Sequence, residues 1–330
     1  MKRRQLLSTA ARCAALGVYP GWKYAWAVPA AATGWVYDPR FLTPVFGPNH
    51  PEQPRRVQAI LAAMQDSGLL ARLKDIPPRA DVDRALRLIH TDVHIAAIRA
   101  GYGEAIDALA RKGVGGALAA VEAVAGGAVR NAFVCSRPPG HHARNTGREE
   151  GFCFFNNVAI AARHAQRELG LRRVLIVDWD YHHGDGTEGF FYEDPEVLYF
   201  STHDWHAYPG TGDPARRGAG AGAGYNINVP LPCGATDADI VTAFERQLLP
   251  AADAFRPDVV LVSAGFDSRA DDLLGCLGVS DEGFVRLTRM VMAIADRHCD
   301  GRLVSVLEGG YNLRGLASAV VAHVRTLAEG

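Results

Sequence analysis

The chain has 330 residues, of which 48% are hydrophobic and 22% charged, and it contains no low-complexity tract. This composition is typical of one large globular domain with a well-buried core, and it argues against a chain that is disordered throughout. Lys and Arg total 35 against 36 for Asp and Glu. A nucleic-acid-binding protein is therefore not expected, because no overall basic charge is available to hold phosphates.

The first residues have the three-part layout of an export signal. Basic residues 2–4 precede an apolar run over residues 6–18, and small residues follow it. The Arg3-Arg4 pair resembles a twin-arginine leader, although Arg12 interrupts the apolar run. The run is too short to span a bilayer, so no stable membrane insertion is expected. We predict a leader over residues 1–32, one domain over residues 33–330 and a periplasmic or exported protein; the alternative is a disordered cytoplasmic tail.

Short apolar runs rich in β-branched residues predict buried strands, and longer segments of helical period lie between them. The predicted strands are residues 132–135, 174–177, 197–200, 259–262 and 303–307. The predicted helices are residues 158–169, 237–255, 281–297 and 316–327. Strands that alternate with helices indicate an α/β fold with a central parallel sheet and helices on both faces.

The residues that follow four of these strands are rich in His, Asp and Tyr. They lie in segments 137–142, 178–186, 264–267 and 308–311. Because the carboxyl ends of parallel strands meet at one edge of a sheet, we expect these side chains to converge there. The Gly- and Ala-rich residues 218–224 open no strong helical segment, so we interpret them as a surface loop and not as a phosphate-binding loop.

The cysteines predict no disulfide framework and no structural zinc site. One of the six, Cys13, lies in the predicted leader, and the other five show no paired spacing. No C-x-x-C motif is present, so any metal must be held by His and carboxylate side chains.

Asp180 and His182 are the first candidate metal ligands. They lie two residues apart after a strand, so their side chains point to the same side of extended backbone. Asp267 is the best candidate for a third ligand, since the small residues before it allow close packing around an ion. Three ligands plus one open position suit catalytic Zn²⁺, and the same mixed set would accept Fe²⁺. The alternative is that the aspartates cap helices and His182 is an ordinary loop histidine.

His141 and His142 are candidates for a base and its electrostatic partner beside a metal-bound water. Each needs a carboxylate to fix its tautomer, and Asp178 and Asp185 are suitably placed in sequence. Tyr311 follows two glycines, so its hydroxyl could reach an open cavity and donate to a developing oxyanion. The alternatives are a surface His pair and an aromatic residue that merely ends a strand.

Six ordered segments resemble the family of histone deacetylases and bacterial acetylpolyamine amidohydrolases, and they suggest a class II-like bacterial member. The resemblance runs from about Gly34 to the end of the chain. These segments are residues 137–143, 151–157, 178–188, 208–212, 263–268 and 307–312.

This resemblance implies an arginase-like fold and an amidohydrolase that releases acetate, or another short acid, from an acylated amine. It implies Zn²⁺ on the three candidate ligands, His142 as general base and acid, and His141 as its partner. Asp178 would support His141, and Asp185 would support His142. Tyr311 would polarise the amide carbonyl together with the metal. A structural K⁺ ion is implied near the carbonyls of Asp178, Asp180, His182 and Phe200 and the hydroxyl of Ser201.

The resemblance also implies which residues contact the substrate. Phe152 and Tyr208 would flank a narrow tunnel, with Gly151 among the substrate-binding residues and Leu274 near the mouth. An apolar residue at the position of Leu274 removes one argument for polyamine selectivity. Residues 99–116 are expected to form a shorter entrance loop than in many relatives. His203 and His206 form an H-x-x-H pattern, which we interpret as a structural His followed by a solvent-facing one.

Three functions remain open from the sequence. The first is a zinc deacylase that acts on acyl-lysine, acetylpolyamine or related small amides. The second is the same centre hydrolysing another amide or an ester. The third is a non-catalytic protein that binds acetylated small molecules. Assembly into homo-oligomers is also left open, since apolar interface faces and core faces look alike in sequence.

Overall fold

A computed structural model describes residues 32–330 and shows an α/β fold built on one parallel sheet. The eight strands are β1 (Thr33–Val36), β2 (Lys74–Asp75), β3 (Asn131–Val134), β4 (Val174–Asp178), β5 (Val197–His203), β6 (Asn226–Pro230), β7 (Val259–Ala264) and β8 (Leu303–Leu307). Their order across the sheet is β2-β1-β3-β8-β7-β4-β5-β6, and every neighbouring pair is parallel. The predicted α/β class is confirmed.

Helices cover both faces of the sheet. Within the described residues they are α1 (Pro54–Asp66), α2 (Asp83–Leu86), α3 (Asp92–Ala125), α4 (Asn157–Glu168), α5 (Asp185–Phe191), α6 (Asp237–Ala243), α7 (Leu249–Phe255), α8 (Asp281–His298) and α9 (Leu313–Glu329). A π-helical turn, Phe244–Leu248, joins α6 to α7, so the helix predicted over residues 237–255 is continuous. None of the helices in this part of the chain has the length and apolarity needed to cross a bilayer.

Side chains that alternate along each central strand enter two separate cores. Leu175 and Val177 of β4 pack in one hydrophobic cluster with α1, α8 and α9. Val174 and Ile176 of the same strand pack in a second cluster with α3 and α4. Because successive strand residues point to opposite faces, burial on both faces requires the unbroken apolar runs seen in the sequence.

One predicted loop is a helix. Residues 99–116, expected to shape the substrate entrance, lie inside α3, whose backbone departs from helical geometry at Gly103 (φ 81°). Close packing explains one of the glycines in this helix: a Cβ on Gly115 would approach the carbonyl oxygen of Arg79 to 2.2 Å. The prediction that residues 99–116 form an entrance loop is therefore wrong.

Local hydrogen bonds fix where the helices begin. The Asn156 side chain accepts from the N–H of Ala159 at the start of α4, and Ser280 accepts from Gly283 at the start of α8. Asn312 accepts from Arg314 and Gly315 at the start of α9. Such caps satisfy N–H groups that have no partner within the helix. The cap at Asn312 starts α9 directly after Tyr311, and so helps to fix the segment that carries this tyrosine.

Candidate active site

Three side chains at the carboxyl edge of the sheet form a compact cluster of metal-ligand type. His182 Nδ1 lies 3.2 Å from Asp180 Oδ1 and 3.0 Å from Asp267 Oδ2. All three ligand atoms lie within 4.8 Å of one another, and both aspartates are fully buried. Asp180 and His182 follow β4, whereas Asp267 follows the adjacent strand β7. The structure therefore brings together the three residues selected from the sequence.

Backbone groups hold the two carboxylates in place. Gly309 N–H donates to Asp180 Oδ2 at 2.8 Å, and Tyr181 N–H donates to Asp267 Oδ1 at 2.9 Å. A Cβ on Gly309 would approach Asp267 Oδ2 to 2.1 Å, and one on Gly265 would approach Asp180 Oδ2 to 2.1 Å. These glycines permit a close approach that no other residue allows. The oxygen, oxygen and nitrogen donor set in this buried cradle fits a divalent cation such as Zn²⁺ or Fe²⁺.

The two histidines lie beside this cluster, and each has its own carboxylate. Their ring centres are 4.0 Å apart. His141 Nδ1 lies 3.1 Å from Asp178 Oδ2, and His142 Nδ1 lies 2.9 Å from Asp185 Oδ1. A carboxylate at Nδ1 leaves Nε2 of each imidazole as the atom available for chemistry.

Burial and charge set the protonation of the two rings differently. Burial lowers the pKa of His142 to about 3, helped by neighbouring His141 and opposed by Asp185. Burial also disfavours charge on His141, but Asp180 and Asp178 outweigh it and hold the pKa of His141 well above its ordinary value. Their surroundings therefore favour the neutral form of His142 and the charged form of His141.

Tyr311 lines the cavity beside these groups, and its phenol keeps its proton. Its residue is 5% exposed, and burial raises the pKa of the phenol well above its ordinary value. The backbone N–H of Tyr311 donates to Asp272 Oδ2 at 2.6 Å, and the guanidinium of Arg56 lies 5.0 Å from the ring centre. A buried phenol that keeps its proton is suited to donate to an oxyanion.

These groups surround one cavity of about 980 Å³. Its lining includes His141, His142, His182 and Tyr311 together with all four predicted substrate contacts, Gly151, Phe152, Tyr208 and Leu274. Asp178, Asp180, Asp185 and Asp267 are not in its lining and act through the side chains they contact. Phe152 has a positive φ of 69°, a backbone conformation uncommon for an aromatic residue. That turn places Phe152 at the cavity wall, with its ring centre 5.9 Å from that of Tyr311.

Sequence reasoning missed a buried ionic network behind the cavity. Arg137 donates to both oxygens of Glu52, at 2.7 and 2.6 Å, and Arg56 also contacts Glu52. Arg56 in turn donates to the backbone carbonyls of Glu308 and Gly310, in the segment that leads to Tyr311. Glu52, Arg56 and Arg137 are fully buried. No local spacing signals a contact between residues 85 positions apart, such as Glu52 and Arg137.

The side chain of Glu308 was also missed. Its Oε2 accepts from the N–H of Gly140 at 2.6 Å and from that of His141 at 3.2 Å. Burial raises the pKa of this carboxyl to about 7, with His141 and the Gly140 N–H acting in the opposite direction. Glu308 therefore joins the loop that carries Tyr311 to the loop that carries both histidines.

His203 and His206 lie outside the metal-ligand cluster, whereas the Cys153 thiol lies within 4.8 Å of ligand atoms of His141 and Glu308. His203 is buried, with Nδ1 2.8 Å from Ser201 Oγ and Nε2 3.0 Å from the carbonyl oxygen of Gly212, whereas His206 is exposed. Cys153 is fully buried, and burial raises the pKa of its thiol well above the ordinary value. A thiol that keeps its proton is a poor nucleophile.

One expectation about the cysteines is wrong. Cys233 and Cys276 form a disulfide with their Cα atoms 5.1 Å apart. The two residues are 43 positions apart, so no short spacing reveals the pair. The bond joins the loop after β6 to the loop after β7, and the second of these loops carries Leu274. The other cysteines of the described residues, Cys135, Cys153 and Cys299, are free and buried.

The chain is similar to several known deacetylases. Residues 50–327 match the model of the histone deacetylase domain. "Histone deacetylase 15" of Arabidopsis thaliana is 38% identical over 84% of this chain and 52% of that protein. A "Probable deacetylase" of Archaeoglobus fulgidus is 36% identical over 86% of this chain and 82% of the relative. Human "Polyamine deacetylase HDAC10" is 39% identical over 84% of this chain and 44% of that protein.

A solved structure is similar as well. The crystal structure of the HDA15 HD domain has a TM-score of 0.84 and 37% sequence identity, and the match covers 91% of this chain and 88% of that one. The described fold is therefore the arginase-like deacetylase fold. The chain spans about half the length of the Arabidopsis and human relatives, and most of the archaeal one. On the domain match and these similarities, the chain belongs to the histone deacetylase family.

Proposed function

We propose that this protein is a zinc-dependent amidohydrolase that removes an acetyl or other short acyl group from an amine. One observation carries the proposal: His182 of the metal-ligand cluster, two His side chains each paired with a carboxylate, and a buried tyrosine line the same cavity. The names of the relatives, which include a polyamine deacetylase and histone deacetylases, support the same class of reaction.

Asp180, His182 and Asp267 would hold the ion, which when bound supplies Lewis-acid activation of water and of the amide carbonyl. Zn²⁺ is the proposed ion, and Fe²⁺ suits the same donor set. A structural K⁺ near Ser201 is a further proposal, which rests on the family resemblance alone.

The chain's own residues would move the protons. His142 is neutral at neutral pH, so its Nε2 accepts a proton from the attacking water while Asp185 holds Nδ1. His142 then passes that proton to the leaving nitrogen as the carbon–nitrogen bond breaks. The Tyr311 hydroxyl donates to the carbonyl oxygen as negative charge develops there. The products are a free amine and a carboxylic acid. Positive charge on His141 would stabilise the negative charge that develops on the carbonyl oxygen during the reaction.

Two other functions would give different results in an activity assay. A centre that hydrolyses another amide or an ester would use the same residues on a different substrate. A non-catalytic binder of acetylated molecules would retain the cavity without turnover. The buried Tyr311 and the paired histidines favour catalysis, because simple binding does not require a proton acceptor beside a cluster of metal-ligand side chains.

We also propose that residues 1–32, which lie almost entirely outside the described residues, are a twin-arginine-like leader and that the protein is exported. The Cys233–Cys276 disulfide supports this proposal, since disulfides persist in oxidising compartments and are rare in the cytosol. Fractionation of cells that produce the full chain tests it, and retention of the uncleaved protein in the cytoplasm would contradict it.

Acetate release tests the enzymatic proposal. Protein stripped of metal would be assayed with and without added Zn²⁺ or Fe²⁺ against acetyl-lysine peptides, acetylated polyamines and acyl esters. We expect release from acetylated amines that one of the two ions restores. Asp180→Ala is the matched variant, and it should lose both the metal and the restored activity. Ester hydrolysis alone would favour the second function, and metal binding without any turnover would favour the third.

A further inference from the structure

Residues 144–156 connect the loop of the two active-site histidines to α4, and we call this segment the strap. Gly151 and Phe152 lie within the strap, and both line the cavity. A Cβ on Gly151 would approach His142 Cδ2 to 2.3 Å, so the strap backbone lies directly against the ring of the proposed base. Gly151 and Phe152 have positive φ values of 53° and 69°, a turn that is uncommon for an aromatic residue. Contacts from neighbouring elements are therefore needed to hold this turn in place.

The side chain of His94 contacts the strap on both sides of the turn. His94 lies in the first helical turn of α3 and is fully buried. Its Nδ1 accepts from the N–H of Gly147 at 3.0 Å, and its Nε2 donates to the carbonyl oxygen of Phe154 at 2.8 Å. A backbone N–H can only donate and a carbonyl can only accept, so these two partners require a neutral imidazole with its hydrogen on Nε2. One buried ring thus spans the strap from Gly147 to Phe154.

Two neighbouring side chains hold other parts of the strap. His90 Nε2 accepts from the N–H of Asn156 at 2.9 Å, and Tyr102 Oη accepts from the N–H of Glu149 at 2.9 Å. The rings of His90 and His94 stack with their centres 4.7 Å apart. Burial lowers the pKa of both imidazoles, that of His90 to about 3, which suits the neutral forms that the hydrogen bonds require. Together with His94, these side chains supply acceptors to three N–H groups of the strap.

Resting on the proposed deacylase function, we propose that His94 is a positioning residue for the reaction. His94 is not in the lining of the cavity, so it acts through the strap. Its two hydrogen bonds hold Gly151 against the ring of His142 and Phe152 at the cavity wall. Without them the Gly147 N–H and the Phe154 carbonyl lose their partners, and the turn between them is free to move. The placement of the base and the fit of the substrate therefore both depend on His94.

The kinetics of His94→Ala test this role. The full chain loaded with Zn²⁺ would be assayed with an acetyl-lysine peptide or acetylspermidine, whichever the wild type hydrolyses faster. We expect kcat to fall about tenfold, because His142 loses its support, and KM to rise about threefold or more, because Phe152 leaves the wall. A variant that merely unfolds more easily would lower kcat alone, since the molecules that stay folded keep the wild-type KM. A wild-type KM in His94→Ala would overturn the proposal.

Two conservative variants separate the two hydrogen bonds. His94→Asn places an amide group near the position of Nδ1, where it can still accept from Gly147. His94→Gln places an amide group near the position of Nε2, where it can still donate to Phe154. Each variant should recover part of the lost kcat and part of the change in KM. If both variants matched His94→Ala in kcat and KM, the hydrogen bonds would not explain the effect and the proposal would fail.

His164→Ala is the matched control. His164 is 6% exposed, lies in α4 and has its Nε2 2.8 Å from Glu122 Oε1 of α3. Among the described residues, this pairing with Glu122 does not involve the strap. The variant should lower the melting temperature and keep the wild-type kcat and KM. Equal kinetic losses in His164→Ala and His94→Ala would mean that both report a general loss of structure, and would overturn the proposal.

Amide hydrogen exchange tests the strap without any turnover. In His94→Ala the N–H of Gly147 should exchange about tenfold faster or more than in the wild type, whereas His164→Ala should keep the wild-type rate. An unchanged rate in His94→Ala, or a faster rate with wild-type kcat and KM, would overturn the proposal and leave the deacylase function intact. If the wild type releases no acetate from any acetylated amine but the exchange still rises, the deacylase function fails and the support of the strap by His94 stands.

Discussion

The Glu308 carboxylate accepts a hydrogen bond from the N–H of Gly140 at 2.6 Å, and so connects the end of β8 to the loop that carries both active-site histidines. The same oxygen accepts from His141 N–H at 3.2 Å, and the carboxyl is fully buried. Removing it would leave two buried backbone donors without their acceptor. Each such group costs about 1–3 kcal/mol when buried and unpaired.

Glu308→Ala should therefore lower kcat on the order of tenfold or more while the metal is retained, because the histidines lose their position but the ligand cluster does not. Glu308→Gln keeps the volume and one acceptor oxygen, and should recover much of the lost rate. Steady-state kinetics, metal content and melting temperature would be measured on all three proteins. Unchanged kcat in Glu308→Ala would remove Glu308 as a positioning residue.

Tyr311→Phe is the sharpest test of the proposed oxyanion contact. The substitution removes one hydroxyl and leaves the ring, which packs near Phe152 and beneath the Arg56 guanidinium. We expect kcat to fall on the order of a hundredfold or more, with metal content and the fold unchanged. Phe152→Leu is a useful comparison, because it alters the cavity wall without removing a donor and should act mainly on KM. Wild-type turnover in Tyr311→Phe would exclude the phenol from the mechanism.

The fold could be predicted where burial on both faces leaves a clear pattern. The runs over β4, β7 and β8 are mostly apolar because each strand is covered on two sides. Strand β6 was missed because two of its buried residues are Asn226 and Asn228, whose side chains donate to Glu188. A strand whose buried side chains are polar, because they donate hydrogen bonds to a carboxylate, does not resemble a hydrophobic strand in sequence.

The site residues that come directly after strands could be predicted from the sequence. Asp180, His182 and Asp267 could be selected because adjacent parallel strands bring their ends to one edge of the sheet. Glu52, Arg56 and Arg137 could not, since their buried hydrogen bonds join α1, the segment after β8 and the loop after β3. Long-range polar contacts of this kind leave no periodic signal.

The disulfide should make two cysteines unreactive toward alkylation until the protein is reduced. Iodoacetamide added to the oxidised native protein should label neither Cys233 nor Cys276, and mild reduction should expose both. Cys135, Cys153 and Cys299 are buried and provide the internal comparison, because they should react only after unfolding. Peptide mass spectrometry identifies the labelled sites. Full labelling of Cys233 before reduction would contradict the pairing and would remove its support for export.

The last prediction concerns acid stability and rests on His323, which is fully buried between α9 and the sheet. Its Nδ1 lies 2.7 Å from Thr288 Oγ1, and its Nε2 lies 3.0 Å from Ser305 Oγ. Thr288 donates its own hydroxyl hydrogen to the carbonyl of Phe284, so Nδ1 must donate to Thr288 and Nε2 is free to accept from Ser305. The neutral imidazole is therefore the form that the folded protein accommodates.

Burial lowers the pKa of His323 to about 3, below its ordinary value of 6.5. Between these two values the unfolded chain binds a proton that the folded chain does not, so the free energy of unfolding decreases as the pH falls through this window. From pH 7 to 5.5 this one group should cost about 1 kcal/mol. His323→Gln keeps a donor and an acceptor but cannot titrate, so its stability should fall by about 1 kcal/mol less over that interval. Urea unfolding at both pH values measures the difference, with His206→Gln at an exposed position as control. Equal losses in wild type and His323→Gln would mean that His323 is protonated in the folded protein as readily as in the unfolded chain.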